Sequence, residues 1–409
     1  MRTLLCGALG ALIVLVFPAC AVTGEDDATG GSGAGGDAGA GNANSGGGGS
    51  AGRGGVGGGG RGGSAGSAGA SGSAGASGSA NGGSGVGGTG MGGGGTGMGG
   101  GGTATGGGGT GGSPPGGAPS VGSCIVFPTD DPWNRDISGA AADATWTLRI
   151  QNLVGNVNIH PDYGVDGSTL YGIPINVVPA TQPAVPITFD WYEDESDPGP
   201  YPFPDPDDIA IEGQSPMACD GDCHVLVVQE GTCMLYEGFA CEYQSDGWHC
   251  GNGATWDLKR VSYGQRPMGW TSADAAGLPI MSGLVRYAEV RAGEIHHAIR
   301  FTLPCTRPNY VNPATHYAVP GSCDENDPDA PPMGIRVRLR ADFDDSGFPA
   351  SARVVTTAMK RYGMILADNG SSFYFQGDSS PDWMEDDIEP LKDIPASAFE
   401  AVDVPPLEP

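Results

Sequence analysis

Five side chains of this 409-residue sequence have the types and spacing for acid/base work: Asp222, His224, Glu237, His297 and Asp368. Asp222, His224, Leu226 and Val228 alternate along one strand-like run, and Glu230-Gly231 separates it from a second run at 233–241. A two-residue hairpin turn at Glu230-Gly231 sets Val228 opposite Cys233, Leu226 opposite Leu235 and His224 opposite Glu237. Residues two apart share a face, so an imidazole and two carboxyls meet on an otherwise apolar surface. A carboxyl in such surroundings keeps its proton to higher pH, as a general acid must. The same pair serves equally as a buried hydrogen bond that only orders the core, and a one-residue slip would part it.

His297 lies in a second run, where Ile295, His297, Ile299 and Phe301 share one face and His296, Ala298 and Arg300 the other. This predicts an inward His297 and a surface His296. With His224 and His316 it would supply imidazoles for zinc or copper, but no local His-x-His or His-x3-His spacing supports a metal centre. Asp368, beside Asn369-Gly370 after the last helical stretch, is a further candidate carboxyl. Glycosidic hydrolysis needs two carboxyls flanking the scissile bond. Glu237 and Asp222 are the preferred pair, with His224 and His297 orienting them.

Aromatic residues supply a binding surface. Trp191 and Tyr192 sit among five acids in residues 190–197, and Trp248 and Trp270 lie in or near loops. Flat aromatic faces stack on sugar rings, while carboxylates take hydroxyls. No cofactor is expected, although calcium, a hard cation, is an alternative occupant that such oxygen-rich loops accept. A second acidic loop, Asp342-x-Asp344-x-Ser346-Gly347, begins like a calcium loop, but Arg353 stands where the closing Glu belongs. All these acids also fit an ordinary solvated surface. Arg336, Arg338 and Arg340 form a basic stripe that is predicted to pair with surplus acids. Serine-hydrolase elbow, zincin and phosphate-loop signatures are absent from the sequence.

The elements that must position these groups begin late in the chain. Most of the 76 glycines precede Pro114. Residues 21–119 read as a disordered Gly/Ser/Ala-rich linker, with nothing to bury against the cost of ordering. Residues 120–409 form the packed body. The net charge of −28 falls almost wholly there and repels nucleic acid, which is excluded as a partner. Strand-like stretches at 173–178, 185–191, 224–229, 233–241, 294–303, 335–343 and 372–376 are bounded by Pro, Gly and Asp clusters. Helical patterns are few: 143–153, one turn at 271–276, and 350–362 with Gly363 as its stop. These features predict a mainly β fold, a β-sandwich or jelly-roll-like domain with one or two short helices. The segment 395–409 reads as a wrap-around tail.

Eight cysteines of the body, Cys124, Cys219, Cys223, Cys233, Cys241, Cys250, Cys305 and Cys323, suit disulfides in an exported domain. Cys241–Cys250 and Cys305–Cys323 are preferred on loop length. Arg2 followed by a short apolar run makes residues 1–20 an export signal. Phe17-Pro18-Ala19-Cys20 resembles the lipobox of bacterial lipoproteins, which implies lipidation of Cys20 and an outer-membrane anchor; ordinary cleavage near Ala21 would instead release the protein. The segments ESDPGPYP (195–202), GWTSADAAGLP (269–279) and KRYGMILADNG (360–370) resemble an uncharacterised family of secreted bacterial domains, a resemblance that names no activity.

These readings give an envelope-tethered enzyme acting on extracellular polysaccharide, a glycoside hydrolase, touching the membrane only through its anchor. The alternative is a non-catalytic surface module that binds glycan, calcium or another envelope protein.

Overall fold

The computed structural model describes residues 117–408 apart from 168, 214, 219, 220, 319–322 and 325. The leader, Cys20, nearly all of the linker, and Cys219 therefore lie outside the described residues.

Local rules explain the helices. Helix α1 (Ala144–Val154) begins where Asp143 Oδ1 accepts from the Thr145 and Trp146 amides, filling two donors that the helix cannot satisfy itself. Trp146, Ile150 and Val154, four apart, form its buried stripe. Short α2 (Tyr287–Ala292) ends at Gly293. Helix α3 (Ala350–Arg361) buries Ala352, Val355, Ala358 and Met359. It stops because Gly363, at φ +73°, turns the chain in a conformation that disfavours side chains. A one-turn α4 (Glu385–Ile388) follows. The stretch 271–276, expected as a helical turn, is irregular loop.

Two sheets organise the body. The larger has seven strands: β1 (Ala142–Asp143), β2 (His160–Asp162), β7 (Ile299–Leu303), β8 (Arg336–Leu339), β9 (Met364–Asn369), β10 (Tyr374–Gln376) and β11 (Phe399–Val402). The smaller has β3 (Ile175–Val178), β4 (Val225–Gln229), β5 (Met234–Phe239) and β6 (Asn252–Asp257). Across the large sheet the order is β1-β11-β8-β9-β7-β10-β2, and across the small one β6-β5-β4-β3. Both are mixed: β7 runs parallel to β9 and antiparallel to β10, and β3 runs parallel to β4.

Leu226, Val228, Leu235 and Trp256 from one face of the small sheet join Phe301, Phe375, Leu366 and Met359 in the main core. Val225 and Val227 from its other face enter a satellite core with Tyr201, Phe203 and Trp248. Among the described residues the bridges Cys124–Cys233, Cys241–Cys250 and Cys305–Cys323 staple the fold, the last two as anticipated. Cys223 is also disulfide-bonded.

The fold is mixed α/β with open sheets, so the β-sandwich or jelly-roll expectation is overturned. Two causes stand out. The parallel pair β7 and β9 needs a crossover, and α3 lies within it, as parallel pairing requires. The run Met364–Asn369, with Ile365 as its sole β-branched residue, escaped the strand reading, yet it lies between β7 and β8 inside the large sheet. The supposed tail likewise contributes β11, paired with β8 and β1.

The hairpin register also differs. Leu235 faces Val228 and Glu237 faces Leu226, because the turn spans Glu230–Cys233 rather than two residues. The slip is two residues, so each side chain keeps its face while losing its predicted partner.

Candidate functional site

One face of the large sheet is apolar and the other is not. On β7, Phe301 points into the core opposite Phe375 of β10. Arg300, one residue earlier, points to the opposite face. There its Nε and Nη2 donate to Asp274 at 2.9 and 2.7 Å, and its Nη1 donates to Gln376 Oε1 at 2.6 Å. The Gln376 amide also reaches Asp162, its cross-strand neighbour on β2. A polar row of Asp162, Gln376, Arg300 and Asp274 thus floors this side of the molecule. The Arg300–Asp274 pair is bidentate and buried, the geometry in which a guanidinium is hardest to replace. Asp274 pushes the Arg300 pKa further up despite burial.

Asp368 reaches the same row through a backbone irregularity. Strict alternation along β9 would send position 368 to the apolar face with Met364 and Leu366. The register shifts by one between Phe301 and Thr302, so Leu366 faces Phe301 while Asp368 faces Thr302. Such a bulge re-aims the side chain that follows it. Asp368 is half-buried there, within electrostatic reach of Asp274, Arg300 and Asp222. Burial and the Asp274 carboxylate raise its pKa to about 7, outweighing the help of Arg300. Burial also raises Asp162.

His224 and Glu212 complete the arrangement just before β4. His224 Nδ1 lies 2.5 Å from Glu212 Oε2, and its Nε2 lies 3.1 Å from the Ala273 carbonyl. Both ring nitrogens face acceptors, so the ring is held as an imidazolium. Burial would discharge it, but Glu212 outweighs that and lifts its pKa to about 9. Glu212 is held below its ordinary range against burial by the same pair. The Ala273 contact fastens β4 to the loop that carries Asp274. The Asp222 carbonyl accepts from Ala240 N at 2.8 Å, bringing Asp222 to the end of β5.

Among the predicted residues, Asp222, His224 and Asp368 therefore converge. Glu237 does not take part. It is fully buried and accepts from Trp256 Nε1, Ile280 N and Met281 N at 3.1, 3.1 and 2.9 Å. Burial raises its pKa to about 7, yet three donors and no solvent make it a clamp on the 280–283 turn. His297 is also fully buried: Nε2 meets Glu289 Oε2 at 3.0 Å, and Arg286 holds that carboxylate's other oxygen. Burial and Arg286 push His297 down. The strand begins only at Ile299, so the alternation expected for 295–298 fails, and His296 is buried rather than at the surface. His316 bonds the Ala275 carbonyl, so the three histidines serve different partners.

Sequence reasoning missed Glu212, Asp274, Arg300, Gln376 and Asp162. An arginine inside an apolar strand was the one signal available, because such a charge requires a buried partner. The Arg stripe behaves as predicted at Arg338, which pairs with Glu400 at 2.8 Å, and at Arg340, which pairs with Asp342 at 3.2 Å. In the loop that resembles a calcium site, Asp344 accepts from Ser346 N and Asp345 pairs with Lys360.

The aromatic candidates separate by exposure. Trp248 is buried against Phe203 and Tyr243 and is core. Trp270 is half-buried, with the Arg266 guanidinium 5.7 Å from its ring centre. Trp191 and Tyr192 are open to solvent, 63% and 43% exposed. No family model, no curated protein and no solved structure matches the chain.

Proposed function

We propose that this protein is an exported hydrolase of glycosidic bonds, in which Asp368 donates the proton to the leaving oxygen. The observation that carries the reading is the bulge-directed placement of Asp368, half-buried beside Asp274, Arg300 and Asp222. A carboxyl with a pKa of about 7 holds a proton in much of the population near neutrality and gives it up readily. Asp222, half-buried on the same cluster, is the second carboxyl, which activates water or attacks the sugar. Arg300 near Asp368 and the His224 imidazolium near Asp222 limit the mutual repulsion of the two carboxyls. Disulfides support an oxidising, extracytoplasmic location. The lipobox-like Cys20 and the Gly-rich linker support a tethered form.

The test is a polysaccharide panel with the purified chain and its Asp368→Asn variant. Asp368→Asn should lower kcat by about 10²–10⁴-fold, the usual worth of a positioned general acid, with little change in KM. In the wild type, kcat should fall as pH rises through about 7, where Asp368 loses its proton. Full activity in Asp368→Asn would overturn the assignment.

A further inference from the structure

The Trp191–Tyr192 segment is built as a shelf. The Trp191 ring rests on bare backbone: a Cβ added to Gly251 would lie 2.5 Å from Trp191 Cε3, so only glycine leaves it room. Phe239 meets its edge at 5.7 Å between ring centres. Asp190 N donates to the Cys250 carbonyl at 2.9 Å, Tyr192 N to the Gly251 carbonyl at 3.0 Å, and Cys250 is disulfide-bonded to Cys241. His249 Nδ1 contacts the Asp190 carboxylate at 3.1 Å, and its Nε2 contacts Asp246 at 3.2 Å. A large apolar ring is therefore fixed in the open on a backbone that cannot sag to bury it.

The shelf also adjoins the carboxylate cluster. Phe239, which supports Trp191, stacks at a tilt on His224 with 5.7 Å between ring centres. Ala240 and Cys241, which follow Phe239 at the end of β5, donate their amides to the Asp222 and Cys223 carbonyls. Two ring contacts thus connect the exposed indole to the imidazolium.

The charge beside the indole is predominantly negative, with His249 held between two of the carboxylates. Glu193 and Asp194 follow Tyr192 and are exposed, while Asp190 and Asp246 lie on the His249 side. Glu195 Oε2 takes the Thr271 amide and Asp197 takes Arg266, so their charges face inward. An indole face beside exposed carboxylates attracts a ring that carries a cation and repels uronic or sulfated polymers.

We propose that this shelf binds a glycan bearing free amino groups, with a sugar face on Trp191 and its ammonium groups toward Glu193 and Asp194. This names the substrate class of the hydrolase and rests on that reading for cleavage, while binding stands independently. Titration of the Asp368→Asn chain uses three probes, followed by Trp fluorescence and calorimetry: a glucosamine hexamer, cellohexaose and an oligogalacturonate. The glucosamine hexamer should bind at least about tenfold tighter than cellohexaose and weaken with added salt; oligogalacturonate should not bind. Trp191→Ala should weaken the hexamer by about tenfold or more, and Trp191→Phe should restore most of it. Equal affinity for hexamer and cellohexaose, or an unchanged affinity in Trp191→Ala, would refute the proposal. Binding of the hexamer by Asp368→Asn with no cleavage by the wild-type chain would sink the hydrolase and leave the shelf standing. Cleavage that is indifferent to Trp191 would do the reverse.

Discussion

At the scale of single residues, the site works by offsetting buried charges. Asp162, Glu212, Asp222, Asp274 and Asp368 gather around one arginine and one imidazolium. Burial, with the Asp274 and Asp222 carboxylates beside it, holds Asp368 near neutrality against the pull of Arg300. The His224–Glu212 pair adds a pH-dependent clasp between β4 and the Asp274 loop. The folded pKa of His224 lies above its ordinary 6.5, at about 9, so its contribution is complete below about 6.5 and fades as pH rises through 9. Glu212 is held below its ordinary value, so its contribution is present above about 4.5 and is lost as pH falls through the depressed value. Glu212→Gln should therefore cost about 2 kcal/mol at pH 6–7, read by urea unfolding, and far less at pH 10. NMR titration of the His224 ring should show its pKa drop in the variant. An unchanged ring pKa would mean the clasp is not ionic.

At the scale of elements, a few local facts set where those residues point. The β9 bulge brings Asp368 to the polar face, and the four-residue β4–β5 turn keeps His224 inward while parting it from Glu237. Gly238 on β5 shows how tightly the elements close: a Cβ there would lie 2.3 Å from Cys241 Sγ and 3.2 Å from Cys250 Sγ. Gly238→Ala should destabilise the chain by about 1–3 kcal/mol through overpacking. The Phe239 edge next to it would shift, so the same variant should also weaken hexamer binding at the shelf. Thermal melts and the fluorescence titration read the two effects separately. Wild-type melting by Gly238→Ala would show that the satellite core yields where close packing should resist.

At the scale of the whole molecule, covalent staples add to a core that the two sheets already share. Cys124–Cys233 closes a separation of 109 residues, tying the start of the body to the β4–β5 turn. A loop of that length gives the largest chain-entropy effect among the described bridges, about 4–5 kcal/mol. The paired Cys124→Ser and Cys233→Ser variant should lose most of that stability in urea, with Cys305→Ser and Cys323→Ser losing less because their loop is shorter. The opposite ranking would show that native contacts, rather than unfolded-state entropy, set the gain.

The amino-acid sequence by itself determined what depends on near neighbours. Asp143 announces α1, Gly363 ends α3, and residues two apart along 224–228 stay on one face whatever their partner. Spacing also picked out two disulfides correctly, because short loops close cheaply. Only the tertiary structure decided which distant groups meet. Arg300 finds Asp274 26 residues away and Gln376 76 away, and no periodicity encodes either distance. The inward face of Glu237 was legible, but its role was not, since that depended on where residues 280 and 281 place their amides. Asp368 would have pointed into the core by alternation; the one extra residue at the bulge turned it to the polar face, a choice made by pairing with β7 rather than by β9 alone.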